Sequence, residues 1–167
     1  MSQKHRRYSL RTKDVKQILT QASEKLKLNL EALSGAKLNV EVVEGDFCQL
    51  FLINGKPVLF KAETAVLPTL LAKEILMHLP KVVVDMGAIP YVCNGADVMA
   101  PGIVRYEGEF AKGDIVLVSD VKHDKPLAIG EILRSSEEVK SIKQGAMVKN
   151  LHYVSDKIWN FTKPLAE

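Results

Sequence analysis

The chain has 167 residues, of which 47% are hydrophobic and 26% are charged, and its formal net charge is +3. These values are typical of a globular protein and allow one domain with a large core or two small domains. The longest apolar runs are far shorter than the roughly 20 residues that cross a bilayer, and no apolar stretch follows the basic start. We therefore expect a cytoplasmic protein without membrane contact.

The positive charge is concentrated at the start of the chain. Residues 1–80 carry a net charge of +4 and residues 81–167 a net charge of −1. Such a cluster can contact phosphates and release counterions, or it can be a solvated face that keeps the protein soluble, and charge alone leaves both open. Against only Asp14 and Glu24, residues 1–28 hold the basic residues Lys4, Arg6, Arg7, Arg11, Lys13, Lys16, Lys25 and Lys27.

The first elements predicted are a short strand and a helix. Residues 6–11 form the strand candidate, and Thr12 is placed to cap a helix over residues 12–26. Apolar residues recur there at helical spacing and define one face. Lys13, Lys16, Gln17 and Lys27 lie largely off this face, so a basic side is expected to stay open to a partner. A short helical turn at residues 29–34 follows, ended by Gly35.

A hairpin is predicted next. Residues 38–42 alternate apolar and polar side chains, as in a half-buried strand. Residues 47–53 and 57–62 flank Asn54-Gly55, a pair that suits the positive φ angles of a tight turn. A second helix is predicted over residues 68–79.

Pro80 blocks continuation of that second helix, so we place a domain boundary there. The expected domains are an α+β domain at residues 1–80 and a mostly β barrel at residues 81–167, packed against each other because the linker is short.

The second half favours a small barrel because short strand patterns alternate with turn signals. A single helical turn is expected at residues 94–99, and Ser135 and Glu138 have capping-box spacing. Turns are expected at residues 112–114 and 123–126. The strand candidates are residues 82–85, 88–92, 103–106, 115–119, 127–133, 146–148 and 158–161.

Cysteine and histidine placement argues against a metal centre. Cys48 and Cys93 lie far apart without Cys-x-x-Cys spacing, and the four histidines are scattered. A structural zinc site needs about four ligands, commonly arranged as close pairs. We therefore predict two buried or half-buried thiols and no metal or cofactor.

One segment carries a family resemblance. Residues 85–103, DMGAIPYVCNGADVMAPGI, resemble the opening of PUA domains, with Gly95-Ala96 in a helical turn and Pro101-Gly102-Ile103 leading into the next strand. Residues 112–118 and 127–132 resemble the strands that follow. The resemblance implies a PUA pseudo-barrel that binds structured RNA.

The resemblance extends over nearly the whole chain. Residues 143–159, KQGAMVKNLHYVSDKIW, resemble the C-terminal segment of the malignant T-cell amplified sequence family, which joins a pre-PUA domain to a PUA domain. A short standalone form of this kind looks archaeal. The family implies a non-catalytic role in translation, at the small ribosomal subunit or the CCA end of tRNA. It also implies a ribosomal partner or one like the density-regulated protein.

The residues themselves give the glycine-rich segment two readings. Gly95 and Gly102 can expose backbone to a polynucleotide, the N–H groups at Gly95-Ala96 can face a phosphate, and Arg105 can add a bidentate contact. Equally, the glycines can merely permit turns, with Arg105 an ordinary surface residue. The resemblance favours binding. The predicted RNA contacts are Gly95, Ala96, Asp97, Val98, Met99, Pro101, Gly102, Ile103 and Arg105, together with Arg6, Arg7, Arg11, Lys13 and Lys16.

Aromatic residues and His152 have competing interpretations as well. Tyr91, Tyr106, Tyr153 and Trp159 can stack on bases, although packing in the barrel core or at its rim is favoured. Tyr153 and Trp159 in particular are expected in the core or at the junction of the two domains. His152 has no nucleophile or carboxylate at a spacing that indicates catalysis, so we interpret it as structural.

Two functions compete with RNA binding in translation. One is a protein-interaction adaptor with secondary RNA contact, and the other is an accessory subunit of an RNA-modification enzyme. Because residues 81–167 carry −1, we hypothesise that the basic start supplies most of the salt-dependent affinity for RNA.

Overall fold

The computed structural model describes residues 6–34 and 38–166, which form two β-sheets packed against each other with short helices around them. The predicted helix stop at Gly35 lies outside the described residues. The strands are β1 (Arg6–Ser9), β2 (Val40–Glu44), β3 (Gln49–Ile53), β4 (Lys56–Ala62), β5 (Ala65–Pro68), β6 (Lys81–Val84), β7 (Val98–Met99), β8 (Ile103–Glu107), β9 (Ile115–Asp120), β10 (Pro126–Ile132) and β11 (Ala146–Tyr153). The α-helices are α1 (Thr12–Leu26), α2 (Leu30–Ser34), α3 (Lys73–Leu76), α4 (Ile89–Val92) and α5 (Lys157–Thr162). Single 3₁₀ turns occupy Met86–Ala88, Ala100–Gly102, Glu138–Ser141 and Lys163–Ala166.

The first sheet has the order β1-β2-β3-β4-β5, and every neighbouring pair is antiparallel. The predicted hairpin joins β3 to β4, and Asn54 and Gly55 have φ angles of 52° and 84°. The apolar face of α1 enters the core, as predicted. The prediction that Thr12 caps the N-terminus of α1 was wrong, because Thr12 is already helical. Arg11 holds the N-cap position and makes no side-chain hydrogen bond there.

The helix predicted over residues 68–79 was wrong for most of its length. Pro68 ends β5 opposite Leu59, and the hydroxyl of Thr69 donates to the carbonyl of Pro57 at 2.9 Å. Only α3 is helical within this range. Strand β5 takes up Pro68 because β4 pairs with it, and residues 69–72 form a turn before α3 begins, so the apolar run is helical only at its centre.

The second sheet has the order β7-β11-β10-β9-β6-β8 and curls into the predicted PUA-like half-barrel. It is mixed, since β6 runs parallel to β9 and antiparallel to β8. Two strand predictions were wrong: residues 88–92 lie in a 3₁₀ turn and α4, and residues 158–161 lie in α5. The helical turn predicted at residues 94–99 was also wrong, because β7 begins at Val98.

The two sheets share a core, as the short linker predicted. Leu50 and Phe60 of the first sheet belong to the same buried cluster as Ile115, Leu117 and Ile129 of the second. The division into domains at residues 80 and 81 stays a prediction. The longest described helix has 15 residues, and no helix in the described ranges is long and apolar enough to span a membrane.

Two ion pairs also join the halves. Lys25 lies 3.7 Å from the carboxylate of Glu131, and the ammonium of Lys27 lies 2.8 Å from that of Asp114. Lys27 was expected on an open basic side of α1. It is instead used within the molecule, because the left-handed turn that ends α1 at this residue brings it to the second sheet.

Helix α5 returns to the first sheet. The ring of Phe161 lies edge-on to that of Phe47 at 5.7 Å, and Gly45 leaves just enough space for it. Trp159 and Leu165 pack against the shared cluster. The expected placement of Trp159 at the junction of the two halves is thereby confirmed.

Candidate nucleic-acid interface

The segment that carries the resemblance folds back on itself. The carboxylate of Asp85 accepts from the N–H of Ala88 at 2.9 Å and so begins the 3₁₀ turn at Met86–Ala88. The N–H of Asp85 donates to the carbonyl of Gly102 at 2.9 Å. These bonds hold residues 85–92 beside residues 99–104, so that both stretches share one end of the half-barrel.

The backbone donors at Gly95-Ala96 are not available to a ligand. Gly95 has a φ of 93° and follows α4, and its N–H donates to the carbonyl of Val92 at 3.1 Å. The N–H of Ala96 donates to the carbonyl of Tyr91 at 3.0 Å. The predicted phosphate contact by these N–H groups was wrong because a helix ends here instead of beginning.

Internal packing accounts for both glycines. A Cβ atom at Gly95 would lie 3.1 Å from the hydroxyl oxygen of Tyr153, and one at Gly102 would lie 3.3 Å from the Cβ of Ala88. Both distances are shorter than an ordinary van der Waals contact of a Cβ atom. The glycines thus permit close packing within the chain, and the idea that they expose backbone to a polynucleotide loses its basis.

Asn150 holds the turn between α4 and β7. Its side-chain amide donates to the carbonyls of Val92 and Ala96, each at 3.0 Å, and its backbone N–H donates to the carboxylate of Asp97 at 3.0 Å. Sequence reasoning assigned Asn150 no role, although it stands in the family-like stretch Asn150-Leu-His-Tyr153. The side-chain NH₂ group of asparagine carries two N–H donors, which suits a turn that presents two carbonyls at once.

The predicted contact residues differ widely in exposure. Val98 is 2% exposed and belongs to the barrel core, so its side chain cannot contact RNA, and Ile103 packs against the same cluster. Exposed side chains belong to Ala96, Asp97, Met99, Pro101 and Arg105. Val98 and Met99 of β7 face opposite sides, as alternation along a strand requires. Strand β8 does not alternate, because the neighbouring residues Val104 and Arg105 are both exposed at an irregularity in its pairing with β6.

Sequence reasoning missed the most exposed aromatic residue of this region. Tyr91 is 70% exposed on α4, whereas packing had been favoured for it. Met86 and Val104 are also exposed, and Met99 is 50% exposed. The exposed residues Met86, Tyr91, Met99, Pro101, Val104 and Arg105 are here named the 86–105 surface.

A basic loop borders the 86–105 surface. The N–H of Ala100 donates to the carbonyl of Gly145 at 2.8 Å. The exposed Lys143 precedes Gly145 in the same loop, so this hydrogen bond brings its part of the chain to the 86–105 surface. Arg105 lies 3.4 Å from Glu107, a pair exposed on both sides and therefore worth little. The guanidinium of Arg105 can exchange this partner for a phosphate at small cost.

Ion pairs occupy part of the basic start. Arg7 binds Glu41 through two nitrogens, at 2.7 and 3.1 Å, and this hydrogen bonding lowers the pKa of Glu41. Arg11 lies 3.2 Å from Asp14. Both arginines were predicted RNA contacts, and each has a competing carboxylate within the chain.

The remaining basic residues of this segment have no competing carboxylate within the described ranges. Arg6 lies over the ring of Tyr8 at 5.2 Å from its centroid. Lys13 and Lys16 are exposed and carry no ion pair within the described ranges. Lys4 lies outside those ranges.

The thiols are placed as predicted. Cys48 is buried and Cys93 is half-buried. Burial raises the pKa of Cys48 to about 11 and also raises the pKa of Cys93, so both stay protonated and unreactive at neutral pH. Across residues 6–34 and 38–166, no group of three or more His, Cys, Asp or Glu could hold a metal ion.

Comparisons with known proteins agree with this architecture. The PUA domain model matches residues 80–154, and a domain of unknown function, DUF1947, matches residues 6–74. An uncharacterised protein of Methanocaldococcus jannaschii is 43% identical over 159 residues, covering 93% of this chain and 96% of that protein. Translation machinery-associated protein 20 of Saccharomyces cerevisiae is 30% identical over 141 residues, covering 80% of this chain and 78% of that protein. The chain belongs to the family of translation machinery-associated protein 20.

A solved structure shares the fold of this member of the translation machinery-associated protein 20 family. A hypothetical protein from Pyrococcus horikoshii superposes with a TM-score of 0.78 at 37% identity, covering 94% of this chain and 99% of that one. The similarity confirms the predicted family and the predicted fold, an α+β region followed by a PUA pseudo-barrel. It leaves the individual contact residues as predictions.

Proposed function

We propose that this protein binds structured RNA of the translation machinery through the 86–105 surface, without catalysing a reaction. The observation that carries the proposal is the exposure of both Tyr91 and Met99 in the segment of the PUA half-barrel that the Asp85–Gly102 hydrogen bond folds back on itself. A folded protein usually buries such side chains, so their joint exposure on one end of the barrel indicates a binding surface. The name of the family points to translation.

The chemistry of the surface suits an unpaired or terminal stretch within a folded RNA. Each base that stacks on an aromatic side chain contributes about 1–3 kcal/mol, whatever its identity. Tyr91 offers such a face, and the polarizable side chain of Met99 can pack beside it. Arg105 and Lys143 supply positive charge for the backbone. Among the contacts predicted from sequence, we retain Ala96, Asp97, Met99, Pro101 and Arg105.

The basic start adds the salt-dependent part of the affinity. Residues 81–167 carry −1, too little for strong phosphate binding, whereas Lys13 and Lys16 are exposed and unpaired within the described chain. Changing both lysines to glutamine should reduce the slope of log affinity against log salt by about 2. Changing Arg7, which Glu41 already neutralises, should alter the slope less.

A non-catalytic role agrees with the geometry of His152, the residue that comes nearest to a general base. It is fully buried, and both ring nitrogens are already hydrogen-bonded within the protein. Neither nitrogen can reach a substrate. As targets we propose the small ribosomal subunit or the 3′ end of tRNA, with a ribosomal partner or one like the density-regulated protein. Crosslinking in cells followed by sequencing of the attached RNA would distinguish the two RNAs.

The test of the proposal is RNA binding by the full chain, measured by fluorescence anisotropy with a labelled tRNA transcript and a ribosomal RNA fragment. We expect Tyr91→Ala and Met99→Ala to weaken binding, Tyr91→Ala by about tenfold. The matched control is Met77→Ala, because Met77 is 74% exposed but belongs to the first half. Equal affinity of the wild type, Tyr91→Ala and Met77→Ala would overturn the proposal.

A further inference from the structure

A second basic loop connects β9 to β10 at the end of the sheet where the 86–105 surface begins. It comprises residues 121–125, VKHDK, here named the 121–125 loop, and all five residues are exposed. Strands β6 and β9 run parallel, and Val84 pairs with Asp120, so both strands end at the same edge of the sheet. The loop therefore leaves β9 beside the point where the chain leaves β6 for Asp85.

Hydrogen bonds fix this position relative to the 86–105 surface. The N–H of Val121 donates to the carbonyl of Val84 at 2.9 Å, and the N–H of Asp85 donates to the carbonyl of Gly102 at the same distance. Strand β6 lies between β8 and β9, and neighbouring strands are about 4.8 Å apart, so the loop begins roughly 10 Å from the start of β8. RNA on the 86–105 surface therefore has this loop within reach of its adjoining phosphates.

Asp120 gives the loop a fixed backbone. This residue is 2% exposed, and its carboxylate accepts from the N–H of Lys122 at 3.0 Å and from that of Lys125 at 3.1 Å. The N–H of His123 donates to the same carboxylate. Hydrogen bonds of this kind allow a charge to be buried, and here they also restrain the loop. The two lysine side chains thus project from defined positions.

The loop carries positive charge that is not paired within the described residues. Its one acidic side chain, Asp124, accepts from the ammonium of Lys81 through both carboxylate oxygens, at 3.0 and 3.1 Å. Lys122 and Lys125 have no ion pair in the part of the chain that the structure describes. The net charge of −1 over residues 81–167 is therefore unevenly distributed, and this loop is locally basic.

We propose that Lys122 and Lys125 bind the sugar-phosphate backbone of the RNA whose unpaired bases contact the 86–105 surface. The inference rests on the proposed function and adds a second contact to it, one that recognises phosphates and not bases. A lysine ammonium is a point charge with three donors, and it binds phosphate oxygens whatever the base sequence. Such contacts set the position of an RNA strand, while base contacts set its specificity.

An acidic protein surface is the other occupant that two lysines would attract. The surroundings of the loop favour RNA, because the same end of the sheet exposes the ring of Tyr91 and the thioether of Met99. An aromatic face next to a basic loop is the combination that binds unpaired bases together with their phosphates.

The experiment measures RNA affinity of the full chain by fluorescence anisotropy at several salt concentrations, with an RNA hairpin that carries an unpaired 3′ tail. Changing Lys122 and Lys125 together to glutamine should reduce the slope of log affinity against log salt by about 2, because each lost phosphate contact releases about one counterion fewer. The matched control changes Lys56 and Lys112 to glutamine. Both are exposed and without an ion pair in the described ranges, in the turn of the first hairpin and before β9, and the net charge falls equally. The control slope should stay close to that of the wild type.

Asp120→Asn distinguishes positioned lysines from general attraction between charges. The amide nitrogen cannot accept, so the hydrogen bonds at one of the two former carboxylate oxygens are lost while the net charge rises by one. General attraction predicts tighter RNA binding. Positioned lysines predict binding about threefold weaker, with faster hydrogen exchange at Lys122 and Lys125. Tighter binding would overturn the inference, and the lysine pair still tests it if Asp120→Asn unfolds.

The outcomes separate this inference from the proposed function. Equal slopes for the loop variant and the control, with Tyr91→Ala still weakening binding, would reject the loop contact and leave the proposed function in place. A reduced slope for the loop variant with unchanged affinity of Tyr91→Ala would support the loop contact and reject the 86–105 surface. Polyglutamate serves as the acidic-protein probe. If it binds the wild type as tightly as the hairpin does, and the loop variant weakens both equally, the partner is an acidic protein and the inference fails.

Discussion

The backbone N–H of Leu70, after the first sheet, donates to Nε2 of His152, in the second sheet, at 3.2 Å. Because Nε2 accepts, the proton of this neutral ring lies on Nδ1, which donates to the carboxylate of Asp156 at 2.8 Å. The prediction that no carboxylate stands at a suitable spacing from His152 was therefore wrong, whereas the interpretation of His152 as a structural residue agrees with its burial. The ring of Phe60 packs edge-on at 5.1 Å. One buried imidazole therefore connects the first sheet, the second sheet and the start of α5.

Loss of this imidazole should destabilise the whole protein. His152→Ala leaves the N–H of Leu70 without its acceptor and opens a cavity against Phe60. We expect the free energy of unfolding to fall by about 2–4 kcal/mol. Urea unfolding at neutral pH measures it, with the exposed His123→Ala as control. A change of the same small size in both variants would contradict a structural role for His152.

The carboxylate of Asp156 should make stability depend on acid. Burial raises its pKa, but hydrogen bonds from His152 and from the backbone N–H groups of Trp159 and Tyr153 outweigh burial, so the pKa lies below its usual value. A carboxyl whose pKa is lower in the folded state contributes stability above its unfolded pKa of about 3.9, and this contribution disappears as pH falls through the folded value.

The expected measurement is a set of urea midpoints from neutral pH down to about pH 2. Wild type should lose stability more steeply below about pH 4 than Asp156→Asn, which has no proton to take up. Asp46→Asn, at an exposed position, should follow the wild type. Parallel curves for wild type and Asp156→Asn would show that Asp156 does not contribute to the acid response.

Asn150 should control RNA binding without touching RNA. Asn150→Ala removes two hydrogen bonds to the turn at residues 92–97, each worth about 0.5–1.5 kcal/mol. We expect hydrogen exchange at Gly95 and Ala96 to accelerate and RNA affinity to fall, because Tyr91 loses its fixed position. Asn160→Ala removes one long, exposed hydrogen bond and serves as control. Faster hydrogen exchange at Gly95 and Ala96 with unchanged RNA affinity would show that the order of this turn does not affect RNA binding.

Gly130 is a position where no side chain fits. A Cβ atom there would collide with a methyl group of Val148 and would lie 2.8 Å from the carbonyl oxygen of Lys149, at the irregularity between β10 and β11. Gly130→Ala should lower the free energy of unfolding by about 1–3 kcal/mol, read as a lower melting temperature. Gly87→Ala meets only the carboxylate of Asp85, at 3.4 Å, and should melt like the wild type.

Elements whose backbone conformation is determined by residues close together in the sequence could be predicted. Asn54-Gly55 closes its hairpin because both residues accept positive φ. Ser135 and Glu138 form the reciprocal capping box, with two hydrogen bonds of 3.2 Å. A turn was also predicted at residues 123–126, where Asp124 has a φ of 52°, but it begins earlier at residue 121 and Pro126 already starts β10. For the hairpin and the capping box, the residues that decide the conformation stand within the element itself, whereas the turn before β10 depends on Asp120, whose carboxylate accepts from three backbone N–H groups.

The secondary structure of short apolar runs was predicted less well, and one such error affected the prediction of the RNA-binding surface. Residues 88–92 and 158–161 read as strands, yet each follows an aspartate that accepts from the N–H three residues later, Asp85 and Asp156. The caps were visible in the sequence, but a run of four or five apolar residues fits either structure. Reading residues 88–92 as a strand concealed the exposure of Tyr91, while the assignment of RNA contacts to residues 99–105 depended on the resemblance.

The return of α5 to the first sheet has a consequence for synthesis of the protein. Phe161 and Trp159 cover apolar surface that belongs to residues translated more than a hundred positions earlier. A nascent chain that has exposed only β1 to β5 therefore carries an uncovered hydrophobic face, and a chain arrested before α5 keeps it. We expect such truncated chains to be held by chaperones or degraded, since cooperative folding must wait for the segment that seals this face.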